Sequence, residues 1–84
     1  MTVPRLTLYS RSGCHLCELA EQALHHLQFD FERREVAEQP AWEAQYGQDV
    51  PVLTLNDQVL LKGVINRSRL GLLKLRLLRE SRCL

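Results

Sequence analysis

Between Leu6 and Leu27 the apolar residues change their spacing. Leu6-Thr7-Leu8-Tyr9-Ser10 alternates and is rich in β-prone residues, which predicts a strand. From Cys14 onward the apolar positions are Leu16, Leu19, Ala20, Ala23, Leu24 and Leu27, the spacing of one helix face. Glu18 and Glu21 fall in the early turns and His25 and His26 near the end, as the helix macrodipole favours. Only the short loop Ser10-Arg11-Ser12-Gly13 separates the two patterns. A strand that hands over to a helix in this way opens a β-α-β unit, whose second strand returns parallel to the first by a right-handed crossover. The handover also carries two cysteines three apart, Cys14 and Cys17.

The rest of the chain completes the unit and extends it. Phe29 to Val36 predicts the second strand, with Phe29, Phe31 and Val36 as inward candidates. Pro40 suits the first turn of a short helix carrying Trp42 and Tyr46, and Gly47 can close it. Val50 to Leu55 predicts a third strand, Asn56-Asp57 a tight turn, and Gln58 to Lys62 a fourth strand, so these two form a hairpin that Gly63 ends. Asn66 can cap a last helix that runs through Leu70, Leu73 and Leu77 toward Arg82. Leu72 and Leu75 lie off that face, so exposed leucine is expected there. The expected order is β-α-β-α-β-β-α. It is an α/β single domain over residues 1–84, with helices on both faces of a four-stranded mixed sheet.

At 84 residues the chain can build one core, and a thin one. It is 45% hydrophobic and 25% charged, the balance of an ordinary globule. No Lys/Arg-headed apolar stretch opens the sequence, and no apolar run reaches the ~20 residues of a membrane helix. The expectation is a cytoplasmic protein with no membrane association. Charge is uneven: Lys62 to Leu84 carries seven Lys/Arg against one Glu, and the first 61 residues carry four Arg against nine Asp/Glu. The basic residues of the last segment are interleaved with leucines, so they read as the solvated face of a helix rather than a nucleic-acid surface.

Three cysteines are too few, and odd in number, for a disulfide framework. Structural zinc needs four ligands, and the only other cysteine is Cys83, read as a tail residue. His25 lies eight residues beyond Cys17 on the same expected helix, roughly 12 Å along its axis. Glu18 follows Cys17, so the haem-attachment pattern is absent. A metal shared between two molecules and a pair of packed core cysteines both stay open. Redox chemistry fits the position best. Cys14 would stand at a helix start, where unpaired N–H groups and the dipole stabilise a thiolate, with Cys17 one turn later.

The segment Leu6-Thr7-Leu8-Tyr9-Ser10-Arg11-Ser12-Gly13-Cys14-His15-Leu16-Cys17 resembles the opening of the glutaredoxins, a branch of the thioredoxin-like fold. Val50-Pro51 resembles the family's cis-proline element, and Tyr46-Gly47 followed by Val50-Pro51-Val52-Leu53 is similar to a group of small glutaredoxin-like proteins. The resemblance runs to about Leu78. It implies that Cys14 attacks a disulfide, that Cys17 resolves the product, and that the backbone of Val50 beside Pro51 pairs with substrate. It implies that Arg11 meets the carboxylates of glutathione, and that Gly63 and Asn66 stand where the family holds the γ-glutamyl end. His15, in place of a common proline, is either a group that tunes the pair or a plain exposed loop residue.

Four departures bear on glutathione. A single Gly63 replaces two glycines, Asn66 replaces an acidic cap, Asp49 replaces a threonine, and His15 replaces the proline. A lost charged partner removes a hydrogen bond worth roughly 1.5–3 kcal/mol, whereas an exposed Arg11 contact returns only about 0–1 kcal/mol. The implied protein is therefore a monomeric thiol–disulfide oxidoreductase with no permanently bound cofactor. Its partner is a protein disulfide or glutathione, and glutathione is a weak reductant. The alternative is a non-enzymatic binding module or redox sensor of the same fold.

Overall fold

The structure, a computed structural model, describes residues 3–82. Its elements are β1 (Leu6–Ser10), α1 (His15–His26), β2 (Phe31–Glu35), a 3-10 turn (Val36–Glu38), α2 (Pro40–Tyr46), β3 (Val52–Leu55), β4 (Gln58–Lys62) and α3 (Arg67–Arg82). The sheet order is β2-β1-β3-β4. β1 runs parallel to β2, with Leu6 opposite Phe31, and antiparallel to β3, with Leu8 opposite Leu53. β3 and β4 form the expected hairpin. Its turn residues Asn56 and Asp57 both take positive φ, 51° and 68°, which these residue types tolerate better than most without glycine. This is the thioredoxin-like α/β arrangement that the resemblance implies.

Alternation along β1 divides the interior. Leu6 and Leu8, with Leu53 of β3, meet Ala20, Ala23 and Leu24 of α1 and Leu70, Leu73 and Leu77 of α3. Tyr9 and Val52 point to the other face, against Val36, Tyr46 and the half-buried Trp42. Asn66 caps α3 as expected, its Oδ1 accepting the Arg69 N–H at 2.9 Å. Leu72 and Leu75 are exposed, also as expected. Among the described residues no helix is long and apolar enough to cross a membrane. Cys83 lies outside the described residues.

Three expectations need correction. β2 is shorter than Phe29–Val36. Gln28 leaves α1 at φ 60°, and the Phe29 N–H bonds back to Leu24 O, so Phe29 is buried under the helix end before the ladder begins. Val36 is buried too, but in the 3-10 turn. β3 starts at Val52 rather than Val50, because Pro51 has no N–H to give a ladder. Leu16 and Leu19 do not face the core; they are 41% and 43% exposed. The buried stripe of α1 is Cys17, Ala20, Ala23 and Leu24, so a cysteine takes the position that the leucine pattern suggested for Leu16. Three of those four are small, which lets the helix lie close to the sheet.

Candidate functional site

The loop between β1 and α1 is held by short polar contacts. Gly13, at φ 80°, supplies a backbone conformation that other residues rarely take. The Cys14 N–H donates to Arg11 O at 3.2 Å and closes the turn. The N–H and the Oγ of Ser12 both donate to Glu35 Oε1 at 2.7 Å. Glu35 also accepts from the Ala37 N–H and from Arg33. These donors, the Ser12 hydroxyl first, hold its carboxyl well below the usual range, at about 2.

Cys14 is the N-cap of α1. Its backbone is extended, φ −91° and ψ 112°, and its Sγ accepts the Cys17 N–H at 3.2 Å. Its carbonyl accepts the Glu18 N–H at 3.1 Å, the first bond of the helix. A thiol therefore does the work usually done by Ser, Thr, Asp or Asn, with its sulfur against the free N–H groups of the first turn. Cys14 is partly exposed and Cys17 is buried, at 1% exposure, and both are free thiols. Burial, then the hydrogen bond with Cys14, pushes the Cys17 thiol up to about 12; the Arg11 backbone N–H opposes this. One thiol is thus accessible at a helix start. The other is dry, a turn below, and hard to ionise. Such a pair can form a mixed disulfide at the first sulfur and close a ring with the second.

The remaining sequence candidates divide between this turn and a neighbouring groove. Val50-Pro51 is cis and stands at the head of β3. One register step beyond Tyr9–Val52 sets Pro51 opposite Ser10, at the sheet end from which the Arg11–Cys14 turn departs. Gly63, at φ 78°, donates its N–H to Pro51 O at 3.0 Å. Arg11 is not left free: its Nη2 donates to Glu43 Oε1 and, at 2.9 Å, to Gly47 O. Lys62 lies 3.9 Å from Asp49. His15 is exposed on the first turn of α1, its Nδ1 3.9 Å from Glu18 Oε2. Asn66 spends its side-chain oxygen on the α3 cap and lines a groove of about 240 Å³ with Leu16, Leu19, Ala23, Val64 and Ile65.

Sequence reasoning missed Glu35 and Glu43, and read Gly47 only as the residue that closes α2, which it does. Arg11 and Glu43 stand 32 residues apart, and Ser12 and Glu35 23 apart, so no local spacing announces either pair. A Cβ at Gly47 would collide with the Glu43 carboxylate and carbonyl, so this glycine is what lets Glu43 fold back toward Arg11. Among the described residues no three His, Cys, Asp or Glu side chains gather as a metal centre would require.

The geometry has counterparts in known proteins. The family model described as "Glutaredoxin-like domain (DUF836)" matches residues 5–73. The X-ray structure of target protein XcR50 from X. campestris is similar at 35% identity, with a TM-score of 0.73 over 81% of this chain and 92% of that one. A structure described as that of a malarial protein shares the fold, at 13% identity and a TM-score of 0.63, over 88% of this chain and 96% of the other.

Proposed function

The chain belongs to the glutaredoxin-like domain family (DUF836), and from that premise we propose that it is a cytoplasmic thiol–disulfide oxidoreductase that works through Cys14 and Cys17. The Cys14 thiolate attacks a disulfide R–S–S–R′, forming Cys14–S–S–R and releasing R′–S⁻. Cys17 then loses its proton to solvent or to the departing thiolate and attacks the Cys14 sulfur. R–S⁻ leaves, and the protein holds the Cys14–Cys17 disulfide. The substrate has gained two electrons and the protein has lost two. Two external thiols restore the dithiol.

One observation carries this reading: Cys14 caps α1 through its sulfur while Cys17 lies buried one turn on. The accessible thiol is the one whose sulfur meets an N–H of the first helical turn. Burial holds the Cys17 thiol well above the ordinary thiol range, so it is protonated near neutral pH. Cys17 is therefore a poor first attacker, and it reacts through its proximity to a sulfur already bonded to Cys14. The backbone of Val50, before the cis Pro51 at the head of β3, is where an extended substrate segment would pair.

The protein acts as a monomer on a disulfide partner, with no resident cofactor and no role for nucleic acid or membrane. Glutathione reduces it weakly, because Asn66 is neutral and already spent on its helix cap. The test is to mix oxidised protein with glutathione and its reductase, and separately with thioredoxin and its reductase, and to follow NADPH. Turnover by the dithiol protein, with slow turnover by glutathione, is expected. Fast, saturable turnover with glutathione alone would refute the weak-reductant reading. No turnover with either would refute the enzyme and leave a sensor or binding module of this fold.

A further inference from the structure

Two cations near the thiol end of the sheet, Arg11 and Lys62, each have a carboxylate within 4 Å. Arg11 lies three residues before Cys14. Its side chain is 39% exposed, open enough to meet a ligand, yet its Nη2 is held by the Glu43 carboxylate and the Gly47 carbonyl. Lys62, opposite Val52 in the hairpin and next to the glycine that bonds Pro51, faces Asp49 at 3.9 Å. Glu43 reaches Arg11 from another element, α2, along a path that a Cβ at Gly47 would crowd. A turn on α2 thus keeps a carboxylate in the place where an anionic ligand of Arg11 would put its own.

Resting on the oxidoreductase reading, we propose that Glu43 is a specificity-determining residue that discriminates against carboxylate-bearing thiols at Cys14. An anionic thiol must displace Glu43 from Arg11 or approach a pair of zero net charge, and in either case it gains little. A neutral thiol, or a peptide disulfide that docks by its backbone, makes no demand on Arg11. Asp49 applies the same restraint at Lys62, more weakly, because that pair is longer and its side chains are 62% and 52% exposed.

The reaction that reads this out is reduction of the Cys14–Cys17 disulfide by a simple thiol. The thiolate attacks the Cys14 sulfur, the Cys14–Cys17 bond breaks, and Cys17 leaves and takes a proton from solvent. A second thiolate attacks the thiol-derived sulfur and releases Cys14, so two thiols are oxidised to one disulfide and the protein gains two electrons. The probes are mercaptosuccinate, which carries two carboxylates, and mercaptoethanol, which carries none. The readout is the ratio of their second-order rate constants, in which any general disturbance of the site cancels.

Glu43→Gln keeps the side chain's size and its capacity to accept from Arg11, and removes the charge. The ratio of mercaptosuccinate to mercaptoethanol is expected to rise about twofold to fivefold at low salt, the range of an exposed ion pair. Asp49→Asn provides a second variant on a different element and should raise the ratio by less. Raising the salt should shrink both gains, as screening of exposed charges requires. An unchanged or lower ratio in Glu43→Gln overturns the proposal, as does a rise confined to Asp49→Asn. If neither thiol reduces the unsubstituted protein, the oxidoreductase reading falls and takes this one with it. Reduction by both thiols with an unmoved ratio defeats the proposal about Glu43 alone.

Discussion

The turn before α1 and the groove beside α1 both come within two residues of Cys14, and they are made of opposite materials. The turn is polar and self-satisfied: Ser12 is tied to Glu35, Arg11 to Glu43 and Gly47, and Cys14 to Arg11 and Cys17. The groove is apolar and open, with Leu16, Leu19 and Val64 all more than two-fifths exposed. Precision is needed at the turn, where a sulfur must sit against particular N–H groups, and directional hydrogen bonds supply it. Leu16 and Leu19 share a helix with Cys17 and Ala20 but face away from the sheet, so they add little to the core. One helix therefore carries a structural face and an accessible face, with Cys17 on the first and Cys14 at the junction.

Substitution can separate these roles. Leu24 is fully buried between α1 and the sheet. Leu24→Ala should cost about 2–5 kcal/mol in a denaturant titration, as buried leucine truncations do. A cost below about 1 kcal/mol would mean that α1 is not packed as described.

Glu35 tests the turn. Glu35→Gln should cost about 1–3 kcal/mol, since a carboxylate that gathers several donors becomes a neutral amide. The pH dependence follows from its lowered pKa. In the unfolded chain the group titrates near its ordinary 4.5, and in the fold near about 2. Its contribution is complete above the unfolded value and is lost as the pH falls toward about 2, because protons then bind the unfolded state more readily. Thermal midpoints between pH 6 and pH 2 should fall more steeply in the unsubstituted protein than in Glu35→Gln. Parallel curves would contradict the anchoring of the turn by Glu35.

The smallest effect belongs to the groove. Leu19→Ala should change stability by no more than about 0.5 kcal/mol, the range of exposed positions. A loss near that of Leu24→Ala would erase the distinction between the two faces of α1.

The sequence made this contrast only partly legible. The shift from alternation to helical spacing located β1, α1 and the cysteine pair, because both periods are local. The hairpin, the Asn66 cap and the exposed Leu72 and Leu75 were readable for the same reason. The face of α1 was misread at Leu16 and Leu19: a cysteine and two alanines pack closely against a sheet, yet carry less hydrophobic signal than the leucines beside them. β2 lost its ends to the left-handed Gln28 and to the 3-10 turn, neither of which alters the apolar pattern. At the site, Cys14, Cys17, Arg11 and Val50-Pro51 stood in recognisable order. Glu35 and Glu43 did not, since each reaches its partner across more than twenty residues and only the folded chain joins them.

The central claim is that two thiols one helical turn apart have unequal tasks, the accessible Cys14 attacking and the buried Cys17 resolving. The most direct measurement is to incubate Cys14→Ser and Cys17→Ser, each reduced, with a disulfide-bonded peptide, quench with acid, and identify the adducts by mass spectrometry. The account predicts that Cys17→Ser accumulates a mixed disulfide on Cys14 while Cys14→Ser accumulates almost none. Adducts on Cys17 in Cys14→Ser, at a rate equal to or above that of the other variant, would contradict it.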